Sequence, residues 1–220
     1  MCRFLLVKFK NPDRPNRYLE IFSSICQKSR AYDGKRQGDG WGISFLINNQ
    51  WKTEKSLLPI WRQKEIFSSF PKTKIFSVHA RSASFPFQKG IIEYNQPFVE
   101  EPYIFVFNGF LKGISLSNLP GKIGAEKIWF LLKKMLKKMD PKDALIRTRD
   151  IILKNCRQVQ ALNIGLSDKK NIYGLNFFSK YARYYQMYYF KNNSKKIICS
   201  EKFEKKGGWE KAEYNKIFKF

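Results

Sequence analysis

Histidine, cysteine and acidic side chains are all scarce in this 220-residue chain, which has one histidine, four cysteines and 18 Asp plus Glu. The cysteines Cys2, Cys26, Cys156 and Cys199 lie far apart with no C-x-x-C pair. Neither a zinc site nor a disulfide framework is therefore supported, and no metal or cofactor is expected. A reduced, cytoplasmic setting is the default for such a chain. No apolar run approaches the roughly 18 residues of a membrane span, so no membrane partner is expected. The opening Met1–Lys8 is too short in apolar length for a signal peptide. Fixed-period repeats and Pro/Gly/Ser-rich linkers are both missing, which reads as one domain over residues 1–220. The shortage of acids leaves 42 Lys plus Arg in excess and a net charge of +24, heavier in the second half. Such a charge predicts nonspecific, salt-sensitive binding of polyanions.

With 43% hydrophobic and 16% aromatic residues the chain has a core to build, and global disorder is excluded. Short segments rich in β-branched and aromatic residues read as strands at Cys2–Phe9, Gly42–Ile47, Ile75–His79 and Tyr103–Phe107. The period then changes over residues 120–158. Ile128, Trp129, Leu131, Leu132, Met135, Leu136 and Met139 recur at helical spacing, with Lys133, Lys134, Lys137 and Lys138 on the other face. Asp140-Pro141 predicts the N-cap and first position of a second helix. Strands resume at Ala161–Leu166, Ile172–Phe177, Tyr184–Phe190 and Lys196–Ser200. Strands, a helix pair and more strands make an α+β arrangement of largely antiparallel sheets, with the helix pair on one sheet face.

Cys2 is the first residue with chemistry to offer. Removal of Met1 would give one residue both a thiol and a free α-amine, whose reference pKa values are about 8.5 and about 7.7–8.0. A neutral amine can take the thiol proton, directly or through water, without a histidine. Taken alone, Cys2 reads as an ordinary second residue, and Asn108-Gly109 as a hairpin turn.

Their context is more specific. Cys2-Arg3-Phe4-Leu5, Asp39-Gly40-Trp41-Gly42-Ile43, Val78-His79-Ala80-Arg81-Ser82-Ala83-Ser84, Gln96-Pro97-Phe98 and Phe107-Asn108-Gly109 follow one another in that order. Together they resemble the class II glutamine amidotransferases, a branch of the N-terminal-nucleophile hydrolases, and most of all their small stand-alone members. Ala125-Glu126 and Cys199-Ser200-Glu201 extend the likeness over nearly the whole chain. The resemblance implies a four-layer αββα sandwich. It also implies that Cys2 attacks the side-chain amide of glutamine, forming a γ-glutamyl thioester and releasing ammonia. Asn108 (side-chain NH₂) and Gly109 (backbone N–H) would form the oxyanion hole, where a donor supplies about 3–4 kcal/mol. Arg81 would grip the substrate α-carboxylate with paired hydrogen bonds, and Ser84 would add a hydroxyl. His79 is set aside as a base and read as a structural strand residue. Asp39, Trp41 and Gly42 read as a structural loop leading into a strand.

One position departs from the pattern. Active members usually carry an Asp two residues before the helix-start Glu, holding the substrate α-ammonium, and Gly124 stands there. An ammonium without its partner costs about 3–5 kcal/mol. Either Glu126 substitutes from a shifted position, or the substrate is a γ-glutamyl compound or amide without a free α-amine, or the chain is a silent relative serving as a binding or scaffold subunit. Released ammonia would go to solvent or to a separate acceptor subunit.

A rival reading comes from the charge. Tyr181-Ala182-Arg183-Tyr184-Tyr185-Gln186-Met187-Tyr188-Tyr189-Phe190-Lys191 interleaves aromatic and basic residues, as a base-stacking platform of a nucleic-acid-binding protein does. Against it, alternating aromatics on a strand also suit a core, and no nucleic-acid motif is present.

Overall fold

Strand β1 (Arg3–Asp13) sets the layering, because its apolar run is buried on both faces. Leu5, Val7 and Phe9 join one core cluster, while Phe4 and Leu6 join another. The period-2 alternation of a strand thus feeds two separate apolar layers from one segment. The computed structural model describes residues 1–29, 31–114, 119–203 and 207–220.

The first sheet contains β1, β2 (Trp41–Ile47), β3 (Gln50–Ser56) and β4 (Thr73–Ala80), with β9 (Tyr188–Lys191), β10 (Lys195–Cys199) and β11 (Trp209–Lys211). Its order is β11-β9-β10-β1-β4-β2-β3. The second contains β5 (Phe98–Glu100), β6 (Tyr103–Ile114), β7 (Cys156–Ser167), β8 (Ile172–Asn176) and β12 (Lys216–Lys219), ordered β12-β8-β7-β6-β5. Their pairings are antiparallel.

Helix α1 (Asn16–Lys28) lies on the outer face of the first sheet, placing Tyr18, Leu19, Phe22 and Cys26 against Leu5, Val7 and Phe76. Helices α2 (Gly124–Leu136) and α3 (Pro141–Asn155) cover the second sheet, packing Ile128, Leu132 and Leu145 over Phe105, Phe107 and Ile164. Between the sheets, Phe4 and Leu6 meet Ile104 and Val106. The result is the four-layer αββα sandwich that the resemblance implied. Asp140 caps α3 as its sequence predicts, accepting from the N–H groups of Lys142 (2.9 Å) and Asp143 (3.3 Å), with Pro141 in the first turn.

Three differences from the sequence reading have physical causes. Helix α1 was not anticipated, although Tyr18, Leu19, Phe22 and Cys26 recur at helical spacing; Pro15 at its N-cap offers no side-chain acceptor to mark its start. The helical period expected over 120–158 stops at Asn155, and Cys156 begins β7, which pairs with β6 along nearly its full length. Tyr184–Phe190 is not one strand. Ala182–Tyr185 forms a single helical turn, α4, after Tyr181 in the left-handed region (φ 53°), and only Tyr188–Lys191 is extended. Tyr184, Tyr185 and Met187 are buried, so they offer no stacking platform at the surface. Among the described residues no helix is long and apolar enough to cross a membrane.

Candidate active site

Cys2 sits just before β1, and Arg3 beside it is tied down more heavily than any other residue near the N-terminus. Arg3 is buried, donates through Nη1 to the carbonyls of Ser200 (2.8 Å) and Tyr184 (2.9 Å), and pairs with Glu201 at 2.6 Å. Its guanidinium lies 3.8 Å from the centre of the Tyr184 ring. Ser200 Oγ accepts from the Phe4 N–H at 2.8 Å, and the Tyr184 hydroxyl donates to the Cys2 carbonyl at 3.1 Å. The Cys199-Ser200-Glu201 segment therefore fixes the strand end that carries the thiol. In the structure Met1 is still attached and buried with Ala31, Ala161, Tyr184 and Tyr185, and burial lowers the pKa of its amine below the usual 8.0.

The Cys2 thiol points to the Ser82 carbonyl (3.9 Å) and opens on a cleft of about 100 Å³. Arg81, Ser82, Ser84, Gly109, Phe110 and Gly124 share the cleft lining with Cys2. Three of the predicted residues, Arg81, Ser84 and Gly109, thus come together at Cys2. Cys26 and Cys199 differ in kind: both are buried, and burial pushes their thiols up.

Arg81 is 4% exposed yet lines this cleft. Its Nη2 donates to the Gln88 carbonyl at 2.7 Å, while the buried Nη1 has no partner in the protein. It makes no ion pair among the described residues. Desolvation lowers its pKa, countered by the nearby Cys2 and Asp39 charges.

Asn108 is fully buried in β6, opposite Asn163 of β7, and neither its Oδ1 nor its Nδ2 has a partner. Alternation puts it on the same face of β6 as Ile104 and Val106, the face turned toward β1. Leaving such an amide unpaired costs about 1–3 kcal/mol, and Asn108 is not among the residues that line the Cys2 cleft. Gly109 next to it admits no side chain: a Cβ there would lie 2.1 Å from the Ala161 carbonyl oxygen. The bare backbone keeps this edge of the cleft open.

Asp39, Trp41 and Gly42 build the wall rather than face the chemistry. Asp39 Oδ2 accepts from the Ala83 N–H at 2.9 Å, its own N–H donates to the Arg81 carbonyl at 2.9 Å, and Trp41 Nε1 donates to Gln63 at 2.8 Å. Gly40 holds a φ of 107°, and any Cβ there would meet the Asn95 side chain. Together these clamps fix the loop carrying Arg81.

The structure does not bring Glu126 into the Cys2 cleft. Its Oε2 accepts from the N–H groups of Lys122 (2.7 Å) and Ile123 (3.2 Å), closing the start of α2, and it lines an adjoining groove. Ile123 at the N-cap has no acceptor of its own, so the Glu126 carboxylate is what closes the helix start, while Gly124 and Ala125 of the first turn line the cleft. A Cβ at Gly124 would touch nothing. Ser84 is exposed, whereas Ser82, which the sequence reading passed over, has a buried hydroxyl without a partner and its carbonyl against the Cys2 thiol. Only its place one residue after Arg81 could have flagged it.

No protein-family model and no curated protein sequence matches the chain. Solved structures do. A glutamine aminotransferase class-II domain protein from Silicibacter pomeroyi superposes with a TM-score of 0.67 at 15% identity, covering 99% of this chain and 94% of that one. A predicted glutamine amidotransferase from Pseudomonas aeruginosa gives 0.52 at 14% identity over 100% of this chain and 93% of that chain. The glutamine phosphoribosylpyrophosphate amidotransferase of B. subtilis gives 0.62 at 14% identity over 90% of this chain, but this chain spans only 42% of that protein. These are likenesses of fold. The chain has the class II glutamine amidotransferase fold, an N-terminal-nucleophile sandwich.

Proposed function

We propose that the chain is an N-terminal-cysteine amidohydrolase of the glutamine amidotransferase type, releasing ammonia from the side-chain amide of a γ-glutamyl compound. The observation that carries this reading is the cleft where Cys2, the spare donor of Arg81 and the backbone of Gly109 converge. With Met1 removed, the α-amine of Cys2 takes the thiol proton and the sulfur attacks the γ-amide carbon. Asn108 Nδ2–H and the Gly109 N–H stabilise the oxyanion. The carbon–nitrogen bond then breaks, and the proton held on the amine leaves with the nitrogen as ammonia. Water attacks the thioester, giving a γ-carboxylate and the free thiol. Arg81 holds the α-carboxylate throughout and sets the register of the amide on Cys2.

In the structure with Met1 attached, the Cys2 nitrogen is an amide and cannot act as base. Met1 is buried among Ala31, Ala161, Tyr184 and Tyr185, so the reading requires its removal before this packing forms. The test is ammonia release by protein of verified N-terminus with Cys2→Ala as control. Activity in the parent that vanishes in the variant supports the reading, and equal release by both overturns it. Folded, Met1-free protein with no release from any γ-glutamyl amide favours the silent binding subunit.

A further inference from the structure

The Cys2 cleft is lined by the buried cation Arg81 and the first turn of α2, with no carboxylate among its described lining residues. Arg81 Nη1, buried and unpartnered, calls for one negative charge on the ligand. Nothing there calls for a positive one. A ligand with both an α-carboxylate and a free α-ammonium would satisfy the first and leave its ammonium without a carboxylate among the lining residues.

The cleft has a neighbour. Across Tyr94, which lines both, lies a groove of about 890 Å³ that also takes in residues 120–122 and Glu126 on the approach to α2. Its floor is apolar, from Pro97, Phe98, Val99, Trp129 and Phe130. Its acids are already engaged. Glu126 closes the helix start, and the Glu93 and Glu126 charges both act on the half-buried Lys55, opposing the desolvation that lowers its pKa.

We propose that the substrate is an N-acylated glutamine with an apolar acyl group, its carboxylate on Arg81, its side-chain amide at Cys2 and its acyl group in the groove beyond Tyr94. The assignment rests on the amidohydrolase reading. Acylation turns the ammonium into a neutral amide, which removes the need for a carboxylate partner. The same bond carries the chain out of a cleft too small for more than the glutamyl part and into the groove. The cleft and groove together then explain why a small cleft at the thiol adjoins a larger groove with an apolar floor.

The experiment is calorimetric binding to Met1-free Cys2→Ala protein, comparing N-phenylacetyl-L-glutamine, N-acetyl-L-glutamine and L-glutamine. The phenylacetyl compound is expected to bind about 10- to 100-fold more tightly than L-glutamine, the range expected for burying one aromatic group. N-acetyl-L-glutamine falls between them. Phe130→Asp should remove the advantage of phenylacetyl over acetyl while leaving acetyl binding in place, which also shows that the variant is folded. Equal or tighter binding of L-glutamine, or no binding of any of the three, overturns the inference. Ammonia release by the Cys2 protein separates it from the broader reading. Tight phenylacetyl binding without release keeps the groove assignment and sinks the hydrolysis. Release from L-glutamine with no gain on acylation does the reverse.

Discussion

His79 Nε2 lies 3.3 Å from the carbonyl oxygen of Phe107, so the single imidazole of the chain spans from the first sheet to the second instead of facing the thiol. It is fully buried, its Nδ1 has no partner, and burial drives its pKa down to about 3. Such a group is neutral at any working pH. It holds the strand bearing Arg81 to the strand bearing Asn108.

The first prediction follows from that depressed pKa. Between the ordinary value of 6.5 and about 3 the unfolded chain binds a proton at His79 that the folded chain refuses. The His79 contribution to stability is therefore complete above pH 6.5 and declines as pH falls toward 3, by up to about 1.4 kcal/mol per pH unit. Asp168, whose pKa is lowered by N–H donors from Asn171 and Lys170 and by the Tyr173 hydroxyl, adds its own loss only below its usual 3.8. Urea unfolding from about pH 4.5 to 6.5 thus isolates the histidine. His79→Gln should flatten the slope in that window, and an unchanged slope would remove His79 as its source.

Asn108 should show opposite effects on stability and activity. Its amide is buried without a partner, so Asn108→Leu should hold or raise the melting temperature, because the desolvation penalty disappears. Ammonia release should fall about 100- to 1,000-fold with the loss of an oxyanion donor. A structural asparagine gives the reverse pattern, with a lower melting temperature and activity kept in the surviving folded protein.

Arg81→Met tests the carboxylate receptor. Removing the guanidinium from a desolvated ion pair costs about 2–5 kcal/mol of binding, so KM should rise by at least about 30-fold. The change should fall mainly on KM, since Arg81 positions the substrate and does not touch the scissile amide. Steady-state kinetics with equal effects on kcat would place Arg81 in the chemistry instead.

Gly124→Asp should restore what the cleft lacks. A Cβ at this position meets no atom within 4 Å, and an acid in the first turn of α2 is favourable by about 0.3–1 kcal/mol. Free L-glutamine should bind about 10- to 100-fold more tightly than to the parent, the part of a 3–5 kcal/mol ion pair that survives partial solvation. Calorimetry on the Met1-free variant reads this directly, and no gain would mean that the α-nitrogen does not lie beside residue 124.

Periodicity and capping made much of this fold legible. The stripe from Ile128 to Met139 and the Asp140-Pro141 cap locate α2 and α3 because helix face and helix start each leave a local pattern. Helix α1 left a face as well, with Tyr18, Leu19, Phe22 and Cys26 at helical spacing, but no side-chain cap to mark its start. The tight turn at Tyr181 was silent: a left-handed tyrosine is fixed by tertiary contacts such as its stack on Tyr32 at 3.9 Å. At the site, Cys2, Arg81 and Gly109 were legible by motif. Arg3, Ser82 and the detour of Glu126 to its own helix start were not, because each is defined by partners 26 to 198 positions away or by burial alone in the first two cases, and by a choice between two acceptable roles in the third.

The most direct measurement of the central claim is intact mass and peptide mapping of protein purified from its native host, before and after exposure to 6-diazo-5-oxo-norleucine and its N-acetyl form. The account predicts a chain lacking Met1 and a single adduct on Cys2, formed faster with the N-acetyl reagent. Retained Met1, or labelling at Cys156 with Cys2 untouched, would contradict it.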